Sequence, residues 1–133
     1  MIDPSLPLQA AIVAALKGSD ELTALIGGRV YDDVPAAPVF PYISLGPDDV
    51  NDDPDQCVGG AEVFPQVNIW SRAKGRVEAK RIVALCAVIL DAPLVVEGHA
   101  VTIHQITRNQ VLWDPDGMTK HGILVPRYVT TPV

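Results

Sequence analysis

The sequence predicts an α+β fold: a mainly antiparallel β-sheet with a long helix and short N-terminal helices packed on one face. Three observations carry this. Before Trp70, Val63, Val67 and Ile69 fall on one face and Glu62, Gln66 and Asn68 on the other, the period of two of a half-buried strand. After it the period changes. Ala79, Ile82, Val83, Cys86, Ile89 and Leu90 recur at steps of three and four, while Arg76, Glu78, Lys80 and Arg81 crowd the start, which is an amphipathic helix from about Gly75 to Leu90. Third, Asp114-Pro115-Asp116-Gly117 separates two stretches rich in Val, Ile, Thr and aromatics, a strong hairpin signal.

In chain order, Leu8, Ala11, Ile12, Ala15 and Leu16 form an apolar stripe at helical spacing that Gly18 should end. Ser19 can cap a second short helix with Asp20 and Glu21 in its first turn, where the helix dipole favours anions, and Gly27-Gly28 closes it. Val30 and Tyr31 begin an extended piece. Pro35, Pro38 and Pro41 keep the following segment out of any helix or central strand. Residues 42–45 read as a strand stopped by Gly46-Pro47, and residues 48–60, with Asp48, Asp49, Asp52, Asp53 and Asp55, as a long exposed loop. In the last arm Ile123 and Val125 point one way and Leu124, Pro126 and Tyr128 the other. The sheet is therefore expected to be apolar on both faces, with helices enough to cover only one.

A chain of 133 residues, 48% hydrophobic and 20% charged, is expected to be one globular domain over its full length, 1–133. Its net charge of −6 argues against free nucleic-acid binding, which needs phosphate-neutralising Lys and Arg. Cys57 and Cys86 form no CxxC and fix no disulfide framework, which points to a reducing compartment. No apolar run reaches the length of a membrane span, and no basic segment opens the chain as a signal peptide would.

Candidate sites are few. Asn51, Asp53 and Asp55 alternate as in a calcium loop with Glu62 at the twelfth position, but Gln56 stands where the turn needs Gly and a strand follows, so a solvated acidic loop is expected. For a four-residue hairpin turn without bulges, His104 and His121 lie far apart, and His99 and His104, five apart, fall on opposite faces. Three histidines then do not converge on zinc. There is no GxSxG elbow, P-loop or dinucleotide fingerprint. The sequence thus predicts no catalytic, cofactor or metal site. Its candidate interface residues are Phe64, Pro65 and Trp70, with the aspartates 48, 49, 52, 53 and 55. Trp70 and Trp113 are large aromatics suited either to anchor a contact or, equally, to pack at the edge of the core.

Four short pieces carry a resemblance, in order along nearly the whole chain. They are Leu25-Ile-Gly-Gly-Arg-Val-Tyr-Asp32, Pro41-Tyr-Ile-Ser-Leu-Gly46, Val67-Asn-Ile-Trp-Ser-Arg72 with Gly75, and Asp114-Pro-Asp-Gly117 with Thr119, His121 and Gly122. The chain resembles the tail-completion (tail terminator) proteins of long-tailed bacteriophages and of phage-like gene transfer agents. That resemblance implies an α+β subunit of a homo-oligomeric ring, a hexamer, at the head-proximal end of a tail tube, with no enzymatic activity. It implies as neighbours the tail tube protein and a head–tail connector or stopper protein, with duplex DNA passing through unbound. The location implied is the tail of a particle, and the bacterial cytoplasm before assembly. Six copies of charge −6 sum to −36, a field that discourages DNA from sticking in transit. Two other readings stand beside it: another connector ring, such as a stopper or adaptor, and a small metal-dependent hydrolase using His104, His121 or the acidic loop.

Overall fold

The computed structural model describes residues 1–53 and 58–133. Helices α1 (Ser5–Lys17) and α2 (Asp20–Ile26) lead into β1 (Val30–Tyr31) and β2 (Tyr42–Asp52). Then follow β3 (Ala61–Ser71), α3 (Val77–Leu90), β4 (His99–Trp113) and β5 (Lys120–Pro132). The sheet order is β1-β2-β3-β5-β4; β1 runs parallel to β2 and every other pair is antiparallel.

Helix limits follow from local chemistry. The Ser19 hydroxyl accepts from Leu22 N at 3.2 Å, and Gly27 at φ 61° ends α2 where an L-residue would be strained. In α3, Ile82, Cys86 and Leu90 are buried and Ile89 is half-buried. The three helices and one sheet face share a single core of Leu8, Ile12, Ile26, Ile43, Val67, Leu124 and their neighbours. α3 lies close against the sheet at Gly122, where a Cβ would sit 2.6 Å from Val83 Cγ2. The Tyr128 hydroxyl donates to the Leu90 carbonyl at 2.5 Å, tying the last turn of α3 to β5.

Gly46-Pro47 does not stop β2. Leu45 faces Val67 and Asp48 faces Pro65, so two residues of β2 oppose one of β3 in a β-bulge. A Cβ at Gly46 would lie 2.9 Å from Asn68 Nδ2, which explains the glycine. The extra residue reverses the alternation, so Ile43 and Leu45 face the core before it and Val50 faces the core after it. Burying Val50 thus draws Asp48, Asp49 and Asp52 into a strand, correcting the reading of 48–60 as one loop. Asp55 and Cys57 lie outside the described residues.

Two more bulges, at Thr102 and Thr107, interrupt the β4–β5 pairing, and each hydroxyl donates to a β5 carbonyl: Val129 at 3.3 Å and Val125 at 2.7 Å. The Thr102 bulge places His99 and His104 on the same face, not opposite ones, with partners Pro132 and Tyr128. The hairpin turn is also longer than four residues. Trp113 pairs with Lys120, and Asp114 N bonds Thr119 O at 2.8 Å.

β3 is central yet contains Pro65. The constant register on its β5 side sets Pro65 opposite Pro126. Neither has an N–H, so their two ladder bonds are missing together and pairing lapses over residues 64–66 without orphaning a donor. The second sheet face carries no helix among the described residues. It is mixed, not apolar throughout, since Glu62, Gln66, Asn68 and Trp70 alternate out of β3 beside Ile123, Val125 and Arg127 of β5.

Candidate interface on the open sheet face

Tyr42, Trp70 and His121 stand in one row across β2, β3 and β5. The Trp70 and His121 rings stack 3.9 Å apart at 10°, and Tyr42 lies 6.3 Å from Trp70 at 25°. Phe40 continues the row 5.0 Å from Tyr42, and the Arg72 guanidinium sits 4.3 Å from the Phe40 ring centroid. Polar groups fix the rings. Trp70 Nε1 donates to Ser44 Oγ at 2.9 Å, while Asn68 Oδ1 accepts from Gln66 Nε2 at 2.8 Å and from His121 Nε2 at 2.7 Å. Burial pushes the His121 pKa below its ordinary 6.5, with Asp114 opposing, so the ring is neutral at pH 7 and carries its proton on Nε2.

Beneath this row the ends of β3 and of the β4–β5 hairpin interlock. Arg72 Nε donates to Thr119 Oγ1 at 3.1 Å, and its Nη2 lies 3.8 Å from Asp116 Oδ2. Asp116 accepts from the Thr119 hydroxyl and from the Thr119 and Met118 backbone N–H groups. These bonds hold its carboxyl down to about 2. Lys120, only 4% exposed, donates Nζ to the Ala73 and Met118 carbonyls, both at 2.8 Å, and lies 4.4 Å from the Trp113 ring centroid. Two carbonyl dipoles and an aromatic face replace the water this cation loses. Ser71 Oγ donates to Glu78 Oε1 at 2.8 Å, joining the end of β3 to the first turn of α3.

The four pieces that carry the resemblance therefore meet at one end of the sheet. Arg29 Nε donates to Pro41 O at 2.9 Å, Ser44 holds Trp70, Gly46 lies against Asn68, and Arg72 holds Thr119.

The sequence-predicted interface residues separate into two groups. Trp70 belongs to the aromatic row. At the opposite end, Asp48 pairs with Pro65 and Asp49 with Phe64, while Asp52 pairs with Ala61 and Asp53 N bonds Gly60 O. Pro65 is buried on the core face; Asp49 and Phe64 line an open-face groove of about 280 Å³ with Gln66, Arg108 and Val125. Partial burial pushes the Asp48 carboxyl above its usual range, and Asp3 and Asp49 add to the shift. Phe40, Tyr42 and Arg108 were not singled out from sequence as interface residues, and His121 was weighed there only as a metal ligand or catalytic group and as part of the resemblance, because only the register brings them beside Trp70 and Asp49. Among the described residues no group of three or more His, Cys, Asp or Glu could hold a metal ion. Stacked rings, hydrogen-bonded amide groups and paired charges make up this end of the open face.

The sequence model of the family described as tail completion protein gp17 matches residues 10–131. Among solved structures, a chain of the virion of a native gene transfer agent (GTA) particle is 31% identical with a TM-score of 0.84, covering 92% of this chain and 93% of that one. The bacteriophage SPP1 gp17 protein is 26% identical with a TM-score of 0.63, covering 93% of this chain and 88% of that one. A search of curated proteins gives no match. With nearly its whole length matched and the same fold found in both relatives, this chain belongs to the tail completion protein gp17 family.

Proposed function

We propose that this protein is a structural tail terminator: copies close into a ring at the head-proximal end of a phage-like tail tube and join the tail to the head. The observation that supports it most is the likeness to a chain of a gene transfer agent virion over 92% of this sequence, within the matched family. The ring is read as a hexamer. Its neighbours are the tail tube protein on one side and a connector or stopper protein on the other, with DNA passing through the lumen. A net charge of −6 per copy suits that passage, since like charge keeps phosphates from lodging on the wall. The role is structural rather than catalytic.

Deleting the gene and imaging the particles tests this reading. Filled heads should separate from tails, and the tails should have abnormal lengths or unjoined ends. Normal joined particles without the protein would sink the proposal. Electron microscopy of complete particles gives the ring number directly.

A further inference from the structure

We propose that successive copies join by sheet extension, the β4 edge of one copy pairing antiparallel with the β2 edge of the next, with Val50 opposite Ile106 and Asn51 opposite Gln105. This rests on the ring reading above and names the surfaces that would make it.

Among the described residues both edges lack a partner strand. The sheet ends at β4, and β1 pairs with β2 only at Ile43 and Ser44, leaving the rest of β2 without a strand on its outer side. The unpaired outer edge of a 15-residue strand is a template for another chain. The directions also agree. Crossing β2, β3, β5 and β4, each strand reverses the last, so a neighbour laid alongside in the same orientation presents its β2 antiparallel to this β4.

The bulges narrow the choice of register. Those at Thr102 and Thr107 leave residues 103–106 as a regular run of β4, and the one at Gly46-Pro47 leaves residues 48–52 as a regular run of β2. Val50 and Ile106 both face the core side at half burial, whereas Asn51 and Gln105 are exposed on the open face. With Val50 opposite Ile106, like faces meet like. A slip of one residue turns every side chain to the wrong face, and a slip of two sets Asp48 opposite Ile106. In the favoured register Asp49 meets Arg108 across the Thr107 bulge, while Asp52 comes opposite His104, whose Nδ1 already lies 2.7 Å from Asp91 Oδ1 within the copy.

Charge points the same way. Arg108 is exposed on the β4 edge, where Arg76 and Lys80 of α3 line a groove with Asn109 and Val111. The β2 edge carries Asp48, Asp49 and Asp52, all exposed. A basic edge and an acidic edge on opposite sides of one sheet make a head-to-tail contact, the kind that closes into rings.

Asn51→Cys and Gln105→Cys in one chain, with Cys57→Ser, test it in assembled particles. Within a copy the two positions are three strand spacings apart, about 14 Å, too far for a disulfide. Mild oxidation should therefore link copies to one another and give a ladder of multiples ending in a closed species. A cross-link to a chain of different mass, or none, overturns the proposal. Charge reversal is a second measurement. Asp49 and Arg108 also line one groove within a copy, so the two changes are placed in different copies. Arg108→Glu or Asp49→Arg alone should abolish joined particles, and co-expression of the two single variants should restore them; normal particles from both singles, or no restoration, overturn it. A symmetric ring without these cross-links refutes edge pairing alone, whereas absence of this chain from the tail end refutes the reading beneath it.

Discussion

Tyr128, Gly122 and His121 lie within eight residues of β5, yet each answers to a different force. Tyr128 is fully buried and its hydroxyl satisfies a carbonyl in the last turn of α3. Tyr128→Phe should lower stability by about 1–3 kcal/mol, the cost of leaving a buried acceptor unpaired, as read by urea denaturation. Gly122→Ala should cost about 1–3 kcal/mol by overpacking, because its methyl meets the stiff Val83 side chain at 2.6 Å. Adding Val83→Ala should return part of that loss, and a double-mutant cycle measures how much. The folded pKa of His121 lies below 6.5, so the unfolded chain binds the proton more readily. Its contribution is fully present above pH 6.5 and is lost as pH falls toward the folded pKa. Stability measured from pH 7.5 down to 5 should therefore decline more steeply in the natural protein than in His121→Gln.

Strand β3 and helix α3 were legible from sequence because an uninterrupted apolar period spans each. The bulges were not. Gly46-Pro47 carries the same chemistry as a strand stop, and only the packing of Val50 on the core makes the strand resume. Thr102 and Thr107 look like ordinary strand residues, and their bulges show only in the register and in the hydroxyls bonded to β5. The error over His99 and His104 follows directly, since one inserted residue reverses every face assignment beyond it. Deleting Asp49 tests this account of β2. The bulge would remain and every side chain beyond it would change face, turning Val50 outward and Asn51 toward the core. Stability should fall by roughly 2–4 kcal/mol, and limited proteolysis should cut first in residues 48–53.

Across the whole molecule the family was readable before the site was. The four pieces of the resemblance are scattered over the sequence, and the fold gathers them at one end of the sheet, where they hold one another. Trp70 announces itself as a large aromatic in a strand. Its stack on His121 could not be read, because a residue 51 positions away becomes adjacent only through the β3–β5 register. Lys120 extends the point from geometry to chemical reactivity. Its ammonium is enclosed by the Ala73 and Met118 carbonyls and the Trp113 ring, whereas Lys17, Lys74 and Lys80 are exposed. An amine-acylating reagent should label those three quickly and spare Lys120 while the Arg72–hairpin lock is closed. Mass spectrometry of labelled particles then turns one lysine into a clock for opening at the aromatic end, readable without a purified ring or an activity to measure.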